Sequence, residues 1–308
     1  MYCGVKFTGV MSEMKFEKYM HILRITDPLP SDLRGLTEGH VFVFPKLDGA
    51  CHSVFWDEEA GEVRCASRNN VLSETSDGTG FYKYFKAHPE LSELVEKYHY
   101  VTLYGEFLTP HTIRDYEDDA WEQFYVFDVA CNGSLYPYTI YKEDLDAYNI
   151  KYIPPMAVLK NPTHEDLLSY VGENHFLMKD GLVGEGIVVK NYLYKNCYGR
   201  TVWGKIVRED FKVASKSPNK GMKELTVEET IADEYVTKDF VSKEFHKFTD
   251  DRGVEWSDSM IPDFLHYIWE QWWLDYSFEV MGMSNYTVGM KALRKSASKM
   301  FMKHLKSL

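Results

Sequence analysis

The sequence predicts an α+β fold in two parts, and three observations carry that expectation. Before about residue 215 the chain holds short runs rich in Val, Phe, Tyr and Ile, several bounded by Gly, Asn or Asp, which is the pattern of strands. Those runs do not alternate regularly with helical patterns, so antiparallel sheets with inserted helices are expected in place of a doubly wound sheet. Beyond a Pro- and Gly-bearing break at Lys216-Ser-Pro-Asn-Lys-Gly221, every periodic signal is helical.

Taken in order, strands are expected at His40–Phe44, His52–Trp56, Glu62–Ala66, Tyr100–Phe107, Gln123–Ala130, Glu185–Lys190 and Thr201–Val207. Helical spacing falls at Gly80–His99, Lys142–Tyr148 and His164–Val171. After the break, Thr226 and Glu229 form a capping box. Pro262 sits where a first helical turn tolerates it, opening an aromatic helix through Trp269, Trp272, Trp273 and Tyr276. The last helix places Leu293, Ala297, Met300, Phe301, Leu305 and Leu308 on one face, with its lysines opposite. The expected organisation is a first domain over residues 1–215, a linker over 216–224 and a small all-helical domain over 225–308. In that small domain Trp272, Trp273 and Tyr276 read as core anchors before they read as base-stacking platforms.

Composition narrows the function. Of 308 residues, 44% are apolar and 27% charged, which excludes a disordered or fibrous chain. No apolar run approaches a membrane span, and no basic head with an apolar run opens the chain, so a cytoplasmic location with no membrane partner is expected. The five scattered cysteines read as reduced thiols, and none pairs at zinc-ligand spacing. The net charge of −12 opposes nucleic-acid binding only on average. Basic residues cluster from Lys190 to Lys223, and after Glu279 lysines and one arginine continue with no acid at all.

The chemistry-bearing residues come as an ordered series. Lys46-Leu47-Asp48-Gly49 follows a strand; Arg68-Asn69 follows another; Tyr104-Gly105-Glu106-Phe107 ends a third. Phe124-Tyr125-Val126-Phe127-Asp128, Glu185-Gly186-Ile187-Val188-Val189-Lys190 and Trp203-Gly204-Lys205-Ile206-Val207 complete it. A lone KxDG is a common hairpin turn, and Asp48 could equally shape that turn or touch a substrate. Six motifs in this order are specific.

The series resembles the covalent nucleotidyltransferase superfamily over residues of about 30 to 212, and most closely the ATP-dependent RNA ligases of the RNA ligase 2 type, common in bacteriophages. The resemblance implies an ATP-grasp-like ligase domain of antiparallel sheets with helices. It implies Lys46 as nucleophile on the α-phosphorus of ATP, expelling pyrophosphate and leaving lysyl-AMP. AMP then passes to a 5′-phosphate end, and a 3′-hydroxyl attacks it. Burial and neighbouring cations would favour the neutral amine that attack needs. By the same resemblance Glu185 organises a Mg²⁺ or Mn²⁺ ion, Glu106 holds the ribose, and Phe127 stacks on adenine. Lys190 and Lys205 grip phosphates, and Arg68 contacts the nucleotide or the 5′-phosphate. The partner implied is RNA with 5′-phosphate and 3′-hydroxyl ends, a nicked duplex among the candidates, joined by a monomer acting in RNA repair; a phage-encoded chain would work in the host cytoplasm.

One position departs from the pattern. Many ligases carry a second lysine two residues after the one matched by Lys205; here it is Val207, leaving Lys205 alone, Arg208 or Lys212 to serve. A strand turns positions 207 and 208 to opposite faces, which disfavours Arg208. The helical continuation favours an RNA ligase over DNA ligases and capping enzymes, which continue into a small β-barrel. Only 45 residues precede Lys46, favouring ATP over NAD⁺. A DNA nick ligase, and a non-catalytic RNA-end-binding protein on a degenerate ligase fold, stand as alternatives.

Overall fold

The computed structural model describes residues 16–110, 113–208, 226–253, 256–282 and 288–308. Strands β1 (Leu23–Arg24), β2 (His40–Lys46), β8 (Ala157–Lys160), β9 (Gly186–Lys190) and β10 (Gly204–Val207) form one sheet. Their order is β1-β10-β9-β2-β8. Strands β3 (Ala50–Asp57), β4 (Glu62–Ser67), β5 (Val101–Phe107), β6 (Phe124–Cys131) and β7 (Ser134–Leu135) form a second, ordered β4-β3-β5-β6-β7. Only β1 with β10 is a parallel pairing within these sheets. The α+β class read from the sequence holds.

Period-two alternation decides what each strand offers the space between the sheets. Val41 and Val43 of β2, with Ile187 and Val189 of β9, pack against Leu167 and Val171 of helix α4 (His164–Val171). Their neighbours Phe44 and Val188 face the other way, into a layer shared with Tyr116, Tyr125, Ile153 and Trp203. Lys46 has the parity of Phe44, and Lys190 that of Val188, so both lysines share this inter-sheet face. On the second sheet Val54, Leu103, Phe124 and Val126 pack on α1 (Phe81–Ala87) and α2 (Pro89–Lys97), while Tyr125 and Phe127 look back toward the first sheet.

A buried ion pair ties the two sheets together. Lys190 of β9 lies 2.9 Å from Asp128 of β6, the two side chains being 2% and 0% exposed. The Trp203 indole donates to Asp128 at 3.1 Å, the Tyr19 hydroxyl also donates to it, and Lys190 donates to the Phe127 carbonyl at 2.7 Å. Lys190 and Asp128 thus both find partners in this dry layer, as burial requires.

Local chemistry explains where expectation and structure part. The helix expected over Gly80–His99 is two helices, because Pro89 cannot continue the first and pushes His88 out of helical geometry, to φ −120° and ψ 78°. Helix α3 (Tyr138–Ala147) starts four residues before the expected Lys142. Of Thr201–Val207 only Gly204–Val207 pairs as strand. Pro45 is tolerated in β2 because pairing with β8 stops at Val43, and Pro45 shares the edge from which Val43 receives Met156 N–H.

The helical region comprises α5 (Val227–Tyr235), α6 (Lys238–Arg252), α7 (Ile261–Gly282) and α8 (Met290–Leu305). The Thr226–Glu229 capping box is present. Trp272 and Tyr276 are buried with Phe264, Ile268, Leu293, Ala297 and Phe301. Leu308 lies past the end of α8 and is exposed, so the expected stripe ends at Leu305. The expected linker, 216–224, and Lys212 fall outside the described residues. Among the described residues no helix is long and apolar enough to cross a membrane.

Two substitutions test this frame. Gly186 has φ +157°, and a Cβ there would lie 2.1 Å from the Ile206 carbonyl oxygen, so Gly186→Ala should lower the unfolding free energy by about 1–3 kcal/mol. Lys190→Met strands Asp128 without its cation and should cost about 3–5 kcal/mol. Urea unfolding midpoints read both.

Candidate functional site

One pocket collects side chains from both sheets and from α6 and α7. Lys46, at the end of β2, points its ammonium at Glu185, with Nζ 2.7 Å from Oε2. Glu185 precedes β9, and the β2–β9 register sets Lys46 opposite Gly186. Asn174 fixes the junction, donating from Nδ2 to the carbonyls of Gly186 at 2.7 Å and Lys46 at 3.3 Å. Gly49 is required by close approach, since a Cβ there would meet the Phe107 carbonyl oxygen at 2.5 Å. Its N–H instead donates to Glu106 Oε1 at 3.0 Å.

All seven residues singled out from the sequence line this pocket: Lys46, Arg68, Glu106, Phe127, Glu185, Lys190 and Lys205. Lys190 is the deepest, held at the floor by Asp128. Phe127 keeps a half-buried ring, in edge contact with Tyr19 at 4.8 Å between centroids. Asp48 is buried; its backbone N–H donates to the Tyr116 hydroxyl at 2.8 Å, and its Oδ2 accepts from Ile113 N–H at 2.8 Å. Arg208 donates to the Val183 carbonyl. Val207 shares the pocket-facing parity of Lys205.

The helical region adds residues that no motif flagged. Lys243 of α6 pairs with Glu185 Oε1 and stands 3.6 Å from Asp48 Oδ1. Asp275 of α7 accepts from Lys205 Nζ at 2.8 Å, lies 3.0 Å from His21 Nε2 and 3.9 Å from Arg24 Nε. Arg68 sits 3.4 Å from His21 Nδ1. A signal for two of these existed: Asp275 and Arg24 are each a lone charge inside an apolar run, and a charge so placed needs a partner. Lys243, in a helix dense with both charges, carried none.

Burial and neighbours tune these groups. Burial works to raise the Glu185 carboxyl, but Lys243 and Lys46 beside it hold it well below the usual range. Asp275 is likewise held low by Lys205, His21 and Arg24 against burial. Burial pulls the Lys205 ammonium down to about 8, Arg24 adding to the effect and Asp275 opposing it. Burial raises Glu106 above the usual carboxylate range, against the pull of Lys46. Burial also lowers His21, which favours its neutral ring.

The arrangement can place an amine and a carboxylate against a phosphorus, with an aromatic face to one side and cations to the other. That donor set fits a nucleotide. Among the described residues no three His, Cys, Asp or Glu side chains converge as a protein-built metal cage. It does fit Mg²⁺, which uses one or two carboxylates and takes its remaining ligands from phosphate and water.

Comparison with known proteins agrees with this reading of the fold. A search of curated proteins finds no match. Forty-five solved chains match; a mutant RNA ligase of Naegleria gruberi with AMP and Mn is 18% identical, with a TM-score of 0.50, over 63% of this chain and 56% of that one. The chain thus spans little more than half the length of that ligase. An archaeal ATP-dependent RNA ligase is 16% identical, with a TM-score of 0.49, over 95% of this chain and 66% of that one. A putative ATP-dependent DNA ligase from Aquifex aeolicus is 12% identical, with a TM-score of 0.48, over 95% and 66%. The family model described as RNA ligase matches residues 39–207, from just before β2 to the end of β10, which is more than half of the sequence, and the chain belongs to that family.

Proposed function

We propose that the protein is an ATP- and Mg²⁺-dependent RNA ligase that joins 5′-phosphate and 3′-hydroxyl ends in RNA repair. The observation that carries the proposal is the 2.7 Å contact of Lys46, at the end of β2, with Glu185, the residue leading into β9, inside a pocket that also holds Phe127 and Lys205. The solved Naegleria gruberi ligase with AMP and Mn supports an adenine nucleotide and a divalent metal.

In the first step Lys46 Nζ, having lost a proton, attacks the α-phosphorus in line with the departing pyrophosphate. The new P–N bond stores the energy of ATP on the enzyme. Phe127 takes the adenine on its half-buried face, and Glu106 accepts from the ribose. Lys205 and Arg68 neutralise phosphate oxygens, where positioning and charge dominate the barrier. Lys190 acts as a positioning residue, fixing the strand beneath Phe127 from its seat on Asp128. Glu185 would hold Mg²⁺ together with the nucleotide phosphates, and the ion would supply charge neutralisation there. The AMP then moves to a 5′-phosphate, and a 3′-hydroxyl displaces it to form the phosphodiester. The basic stretch ending the chain suits the RNA backbone.

Label transfer from ATP carrying α-³²P tests the reading directly. The wild type should form an acid-labile, protein-bound label from ATP but not from GTP or NAD⁺, and Lys46→Ala should form none. Joining by Lys46→Ala with ATP would refute the assignment, and joining that ignores the sugar at the 3′ side would favour a DNA nick ligase. Glu185→Gln should slow labelling by about 10²–10³-fold while the fold persists.

Lys205 gives a pH signature. It is charged below its pKa of about 8 and neutral above. Affinity for inorganic pyrophosphate, read by calorimetry, should therefore fall as pH rises through about 8. Lys205→Arg, which stays charged, should flatten that fall.

A further inference from the structure

The pocket's charges divide by origin. The β-rich part lines it with Arg24, Lys46, Arg68, Lys190, Lys205 and Arg208 against Asp48, Glu106 and Glu185. The helical region answers with four carboxylates, Asp239, Glu244, Asp250 and Asp275, and two lysines, Lys243 and Lys247. Its contacts are charge-matched in both directions. Lys243 covers the Glu185 carboxylate, and the Asp275 carboxylate covers the cations of β1 and β10.

Asp275 is seated as a ligand anion would be. One oxygen meets Lys205 at 2.8 Å and His21 at 3.0 Å, the other faces Arg24 at 3.9 Å, and the side chain is 11% exposed. Arg24 is a second contact of the same helix, its Nη2 donating to the Tyr276 hydroxyl of α7 at 2.9 Å and its guanidinium lying 4.3 Å over that ring, so these contacts too last only while α7 is docked. Three nitrogen-bearing side chains converge on a small oxyanion, a geometry that serves a phosphate as well as a carboxylate. The helix that carries the carboxylate belongs to a separate hydrophobic core and meets this corner of the pocket chiefly through polar and ionic contacts.

We propose that Arg24, His21 and Lys205 form a phosphate subsite in which Asp275 stands in for the ligand, and that α7 withdraws when a phosphate enters. The inference rests on the RNA ligase reading, and it adds to it two residues outside the motif series and a competitor inside the chain. In the docked arrangement the subsite is self-occupied. Phosphate entry exchanges an intramolecular carboxylate for a more highly charged ligand and frees the pocket's outer wall for a polynucleotide end. The phosphate has two possible sources, the pyrophosphate portion of ATP or the 5′-phosphate of RNA.

Calorimetric titration of the intact protein without nucleotide separates these cases. The probes are inorganic pyrophosphate, a 5′-phosphorylated oligoribonucleotide and the same oligonucleotide with a 5′-hydroxyl. Asp275→Asn should bind at least one phosphate probe about tenfold more tightly than the wild type, and Arg24→Gln added to it should remove the gain. A gain for pyrophosphate alone assigns the subsite to ATP; a gain for the 5′-phosphorylated but not the 5′-hydroxyl strand assigns it to RNA. Equal or weaker binding of both phosphate probes by Asp275→Asn overturns the proposal. Should that variant fail to fold, solution scattering of the wild type decides: saturating phosphate probe should increase the radius of gyration, and an unchanged radius with the probe bound overturns the proposal. Label transfer from ATP by the wild type is scored separately, so its absence would sink the ligase reading without touching the titrations.

Discussion

The Lys190–Asp128 pair is the constraint from which the pocket's geometry follows. A lysine and an aspartate taken out of water are costly, and the cost is offset only where geometry is good and every remaining lone pair is met. Here Trp203, Tyr19 and the Phe127 carbonyl complete the set. Because one partner sits on β9 and the other on β6, the pair fixes the two sheets face to face. Phe127 is the residue next to Asp128, and Glu185 leads into the strand that carries Lys190. Locking the pair therefore places an aromatic face and the Lys46 partner in one frame without either touching the other.

What the sequence made legible follows from how local each signal was. Lys46, Glu106, Phe127 and Lys205 sit on strands whose alternation could be counted, and Arg68 and Glu185 directly abut strands, so motif and period agreed. The α+β class, the capping box at Thr226 and the aromatic core at Trp272 were equally local. The short strands Leu23–Arg24, Ser134–Leu135 and Ala157–Lys160 were illegible because two to four residues hold no period; pairing with distant partners creates the first and the last, and a tight hairpin with the end of β6 creates the second. Lys243 and Asp275 enter the pocket through docking of whole helices, a tertiary event that left no trace of Lys243 and showed Asp275 only as a lone charge in an apolar run. The helix over Gly80–His99 was drawn too long because periodicity outweighed Pro89, whose missing donor ends a turn regardless of pattern.

The motif positions and the helical contacts do different physical work. Motif residues hold their places through backbone ladders and buried apolar neighbours, which are insensitive to salt and pH. The helical contacts on Glu185 and Lys205 are ionic and largely buried, so salt screens them weakly and the charge of an entering ligand weighs on them most. A two-sheet frame thus carries the motif side chains, and a more responsive layer covers them. This division also fits the family match, which is confined to residues 39–207 and does not extend into the helical region.

The topology also has a bearing on how the chain is made. Lys46 lies 139 residues before its partner Glu185, and Arg24 lies 252 residues before Tyr276. Strand β1 finds its ladder only on β10, near the far end of the β-rich part. During vectorial synthesis β3, β4 and β5 can pair as they emerge, whereas β1 and β2 wait with open edges for β9 and β10. Closing such long loops delays the first sheet relative to the second. Lys46 is therefore among the early residues to leave the ribosome and among the late ones to acquire its surroundings, and an incomplete chain presents it as an ordinary solvated amine.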